Sequence, residues 1–168
     1  IRMLRLRPSA FPHRRLAYLA ALYYHSDNLP GELLRTSSLA HLEQLLTVTP
    51  TDYWQRHYHW GSETNAHLGT IGRATIESIA INVVIPLQYY LTQERDLLGL
   101  SLASDSLMSA HDLPAERNSV VRRFANEGLT PRSAYDTQAL LQLYESYCEP
   151  RRCWLCPVGR TLLQNYGA

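Results

Sequence analysis

Three cysteines, Cys148, Cys153 and Cys156, fall within nine residues in YCEPRRCWLCPVG, and the chain has no others. Thiolates are soft donors. The spacing C-x4-C-x2-C brings three of them within reach of one thiophilic ion or cluster. The expected cofactor is therefore zinc or an iron–sulfur cluster. Pro150, Arg151 and Arg152 supply the turn between the first and second thiols. Two positive charges there are expected to favour the thiolate forms. A tetrahedral ion needs a fourth ligand that the local sequence lacks, so a histidine, an acid or a partner would have to provide it. The same spacing fits two metal-free states: three reduced thiols, or a Cys153–Cys156 disulfide.

The arginines are the second chemical feature. All sixteen basic residues are arginine, and the net charge is only +1. There is no global basic signal, but the distribution is uneven. Arg2, Arg5, Arg7, Arg14 and Arg15 lie in the first fifteen residues without an acid among them. Arg151, Arg152 and Arg160 surround the thiols. Guanidinium forks suit phosphate and carboxylate, so Arg7, Arg15, Arg151 and Arg152 are candidate contacts to nucleic acid or another anion. The chain-wide absence of lysine also fits a codon bias. Asn82, Glu116, Asn118 and Gln138 form a further candidate polar site. His57 and His59 lie two apart in a segment read as helix, where they point to different sides. The sequence has no H-E-x-x-H, P-loop, G-x-G-x-x-G or G-x-S-x-G motif.

These residues need elements to position them, and the periodicity is helical. Leu16, Leu19, Ala20, Tyr23 and Tyr24 give one apolar face to a helix near 13–26, broken by Asn28, Pro30 and Gly31. Leucines continue over 31–48, in two pieces around Thr36, Ser37 and Ser38. A short aromatic helix is predicted over 51–60 and a polar loop over 61–70. The next helix, 72–92, contains Pro86, which cannot donate to the carbonyl of Asn82. That predicts a kink or a polar notch inside the bundle. Gly99, Ser101 and Ser104 loosen the middle of the chain. Pro114 opens a helix over 114–127 that ends at Gly128. Ser133 and Asp136 read as a capping box opening a helix over 134–147, which delivers Cys148. A last helix runs over 157–165 from Pro157. No strand alternation stands out. The expected fold is all-α: one compact multi-helix domain over 1–168, with the cysteine turn before the last helix.

Apolar content of 45% suits a globular chain rather than a disordered one. The segment LAYLAALYY at 16–24 is too short for a bilayer, which takes about 20 residues. It is not followed by a small-residue cleavage site. No membrane is expected. Closely spaced thiols without an export signal point to a reducing cytoplasm.

Four blocks in order are similar to one family. RLRPSAFPHRRLAYLAALY (5–23), DYWQRHYHWG (52–61) and IGRATIESIAINVVIPL (71–87) resemble DUF2851, a family of uncharacterised bacterial proteins. So does the run from Leu113 to Gly159, including Gln138 and the three cysteines. Ala10, Tyr18 and Trp60 depart mildly from the pattern. The resemblance implies that the chain is the carboxy-terminal part of a longer protein, whose amino-terminal half would be a partner. It carries no activity to transfer.

These features point first to a helical accessory domain with a cysteine-held metal, supporting nucleic-acid binding or processing. Two alternatives stand beside it: a packing domain for an enzyme whose catalytic half lies elsewhere, and a structural interaction module with reduced cysteines.

Overall fold

The computed structural model describes residues 11–65, 69–97 and 108–165. They are mostly helical, and their contacts group the chain into two compact units, Ile1–Met108 and Ser109–Ala168. Gly99, Ser101 and Ser104 lie outside the described residues.

The first unit opens with α1 (Pro12–His25), with proline in its first turn, where a missing N–H costs nothing. Helix α2 (Leu29–Arg35) follows once Asn28 has capped it by accepting the N–H of Gly31 at 3.1 Å. Helix α3 (Leu39–Leu46) is capped by Ser38. The expected division at residues 36–38 is therefore present. Among the described residues, the apolar side chains that fill the core of the first unit are Leu22, Leu29, Leu42, Leu46, Ile76, Ala80, Ile81, Val84 and Met108. The apolar face read on α1 is not the buried one. Leu16, Leu19 and Tyr23 stay exposed, while Leu22 is buried. The helix has been rotated so that Tyr18 reaches the carbonyl of Leu46.

The helix predicted over 51–60 stops early. Helix α4 (Asp52–Gln55) gives way to β1 (His57–His59), which pairs antiparallel with β2 (Ser62–Glu63). Gly61, at φ +73°, allows the reversal. Ring packing then favours the hairpin. The His57 ring stacks on Tyr53 at 3.8 Å between centroids, and the Tyr53 hydroxyl accepts the N–H of Gly61 at 3.0 Å. His59 instead lies beside Phe11, so the two histidines have separate partners.

Helix α5 (Arg73–Ile79), a π-helical turn (Ala80–Val84) and α6 (Ile85–Leu97) run on continuously. The wider turn meets the proline: Ile85 donates to Ala80, five residues back, just before Pro86 interrupts the ladder. Gln88, 3% exposed, fastens α6. Its amide donates to the carbonyls of Leu34 (3.1 Å) and Thr36 (2.7 Å) and accepts the N–H of Met108 (3.1 Å).

The second unit contains α7 (Ser119–Asn126), α8 (Ala134–Leu143), a π-helical turn (Tyr144–Cys148) and α9 (Pro157–Asn165). Helix α7 starts later than predicted. Asn118 caps it, and Pro114 lies in an isolated antiparallel bridge to Ser133. Gly128, at φ +86°, follows the helix end as expected. The Ser133–Asp136 capping box is present in both directions. Among the described residues no helix is long and apolar enough to cross a membrane.

Candidate functional site at the cysteine turn

Cys148 leaves α8 through the π-helical turn, in which Glu149 donates to Tyr144 at 2.9 Å. Arg152 then donates back to Tyr147 at 2.7 Å, closing another wide turn. Between them Arg151 takes φ +55°, a left-handed conformation that costs a side-chain-bearing residue about 1–2 kcal/mol. The carbonyl of Arg152 accepts the N–H groups of Leu155 and Cys156. Cys156 thereby arrives, buried, at the start of α9. Its Sγ accepts the N–H of Gly159 at 3.4 Å. A Cβ at 159 would clash with the carbonyl oxygen of Cys153 and stand 3.1 Å from its carbonyl carbon. Glycine is what lets α9 close on the turn.

The turn gathers the three thiols into one neighbourhood but not into a metal-holding arrangement among the described residues. Cys148 and Cys153 are exposed and Cys156 is buried, and all three are free thiols. Among the described residues, no group of three or more His, Cys, Asp or Glu side chains is arranged to hold a metal ion. Burial, and then the neighbouring Cys156 and Cys153, push the Cys148 thiol above its ordinary range. The arginine acting the other way is Arg123, not Arg151 or Arg152. Arg123 sits over the Tyr144 ring at 5.3 Å and donates to its hydroxyl at 3.0 Å. The charge that reaches Cys148 thus comes from another helix and not from its neighbours along the chain.

Arg151, Arg152 and Arg160 are exposed and make no ion pair among the described residues. Trp154, 68% exposed, stands among them. The signal for Trp154 in the sequence is an aromatic residue inside a cation-rich run without an acid, Pro150 to Asn165. Leu155, Val158, Leu162 and Leu163 are also exposed on and beside α9.

The other expected residues separate. Arg7 lies outside the described residues. Arg15 is exposed on α1 and belongs to the wall of a cavity in the first unit. Of the expected polar site, Glu116 and Gln138 meet. The Gln138 amide donates to Glu116 at 2.5 Å, beside the buried Thr137 hydroxyl, which lies 3.4 Å from the same oxygen. Asn118 is spent on capping α7, accepting the N–H of Val121 at 2.9 Å. Asn82 belongs to the first unit, is exposed, and donates to the carbonyl of Ser78 at 2.9 Å. The polar notch expected beside Pro86 therefore does not open inward at Asn82. The buried polar side chain of that helix is Gln88.

No curated protein and no solved structure matches the chain. The model of one family, described as a protein of unknown function (DUF2851), matches residues 1–119. That stretch is well over half of the 168 residues and ends before the cysteine turn. The chain belongs to the DUF2851 family.

Proposed function

We propose that the second unit is a nucleic-acid-binding module and that the cysteine turn is its contact surface. The observation that carries this reading is the exposed Trp154 set among three exposed guanidinium groups that have no acidic partner among the described residues. Single strands are held by cations that track the phosphates and by aromatic rings on which bases stack. The turn offers both within ten residues, from Arg151 to Arg160. The thiols would serve as scaffold. With zinc, Cys148, Cys153 and Cys156 would be the ligands, the two exposed side chains turning toward the buried one. The fourth position would go to another group.

The test is titration of a short single-stranded oligonucleotide, read by Trp154 quenching in a Trp54→Phe, Trp60→Phe background, across a salt series. Three phosphate contacts give a slope of log affinity against log salt of about −2 for a single strand. Arg151→Ala with Arg152→Ala should reduce it to about −0.7. Absence of quenching at low salt would refute the reading. Metal content of anaerobically purified protein, with absorbance near 400 nm, tests the scaffold separately.

A second reading rests on Leu155, Val158 and Leu162, which are exposed on and just before α9. Exposed apolar side chains there suit packing against the remainder of a longer protein. It is favoured if Leu162→Ser improves solubility of this chain while oligonucleotide binding is absent.

A further inference from the structure

The first unit contains a cavity of about 540 Å³ between α1, the Gly69–Gly72 loop and α5. Its size falls within the range of small-molecule sites. Two guanidinium groups, Arg14 and Arg15, line it, and among the described residues no acidic side chain does. Arg14 donates to the carbonyl of Gly69 at 2.6 Å, the polar contact it makes among the described residues. A guanidinium carries five N–H donors, so most of its capacity is unspent. Burial pushes its pKa below the ordinary arginine range, with Tyr58 acting weakly the other way. A partly desolvated cation with no anion beside it among the described residues is an unfavourable arrangement that a bound anion relieves. The remaining wall includes Tyr18, Ile71 and Ile79, which offer an apolar surface next to the two charges.

We infer that this cavity is a binding site for a small organic phosphate, with its phosphoryl group against Arg14 and Arg15 and its apolar body against Tyr18, Ile71 and Ile79. Two cations on one cavity wall favour a dianion over a carboxylate. The apolar walls distinguish the site from a simple anion patch. The site belongs to the first unit and is independent of the cysteine turn.

The test uses the full chain at low salt with phenyl phosphate, benzoate, phenol and inorganic phosphate as probes, followed by calorimetry and thermal shift. Phenyl phosphate should bind most tightly, inorganic phosphate and benzoate more weakly, and phenol not at all. Arg15→Gln removes a side chain with no ion pair among the described residues and should weaken phenyl phosphate about tenfold. Arg14→Gln should do at least the same. Arg151→Ala with Arg152→Ala should change nothing here. Circular dichroism confirms that each variant is folded, and Arg15→Gln keeps the test valid if Arg14→Gln is not. Failure of phenyl phosphate to bind overturns the proposal. So does benzoate binding equally well, or affinity unchanged in Arg15→Gln. An oligonucleotide that loses affinity in Arg15→Gln while phenyl phosphate does not bind would place this surface with nucleic acid and also overturn it.

Discussion

Replacing Gln88 with leucine tests whether one buried side chain holds the first unit together. Leucine fills a similar volume but cannot make the three hydrogen bonds of Gln88. Two of the abandoned groups, the N–H of Met108 and the carbonyl of Thr36, are in buried bonds; the carbonyl of Leu34 is in a partly buried one. A buried polar group left unsatisfied costs about 1–3 kcal/mol, and a group that water reaches costs less. Leucine returns about 1 kcal/mol through its greater apolar burial. The net loss should be about 2–5 kcal/mol, a large share of the 5–15 kcal/mol typical of a domain. Urea denaturation measures it. Trp54 and Trp60 lie in the first unit and Trp154 in the second. In a Trp154→Phe background, therefore, fluorescence follows the first unit alone. A midpoint shift with unchanged slope gives the free energy directly. A loss below about 1 kcal/mol would refute the reasoning, because it would mean that water reaches the groups described as buried.

Two further outcomes follow from single residues. Gly159→Ala should push α9 away from the Cys153 carbonyl, costing about 1–3 kcal/mol. In thiol-reagent kinetics Cys156 should then react at a rate close to those of the exposed Cys148 and Cys153; an unchanged slow third thiol would show that the turn does not depend on glycine. Burial pushes the Tyr18 phenol up to about 12, against about 10 for an unfolded tyrosine. The unfolded chain therefore loses this proton first, and the contribution of Tyr18 is complete below about pH 10 and is lost as pH rises toward about 12. The full shift corresponds to about 2.7 kcal/mol, and partial solvent access reduces it to about 1–2 kcal/mol. Urea midpoints of the parent and Tyr18→Phe chains, compared over that range, isolate it from the other tyrosines. Parallel curves would contradict the assignment.

Short-range interactions were legible in the sequence. Ser133 and Asp136 bond across three residues, Gly128 follows the end of its helix, and the helical leucines divide at Thr36 to Ser38. Each depends on side chains within one turn of one another, so residue type and spacing are enough. The all-α class follows from the same local preferences. The turn between the thiols was also legible, because Pro150 favours a turn and the C-x2-C spacing keeps Cys153 and Cys156 close.

Longer-range outcomes were decided by tertiary structure. The segment 51–60 could satisfy a helical pattern, and ring stacking of Tyr53 on His57 with reversal at Gly61 turned its second half into a hairpin. The face that α1 buries was chosen by contacts made 28 and 55 residues away, at Leu46 and Gly69. Gln88 looked like an ordinary helix residue until carbonyls more than 50 positions earlier were brought onto its amide. The charge that reaches Cys148 comes from Arg123 on α7, although Arg151 and Arg152 are far nearer in sequence. By itself the sequence determined the family, the helical class, the Ser133–Asp136 capping box and the Gly128 helix end, because those rest on residue types and short spacings. Which side chains are buried, which cations lack an acid, and where the thiols point depend on distant segments meeting, and only the folded chain decides that.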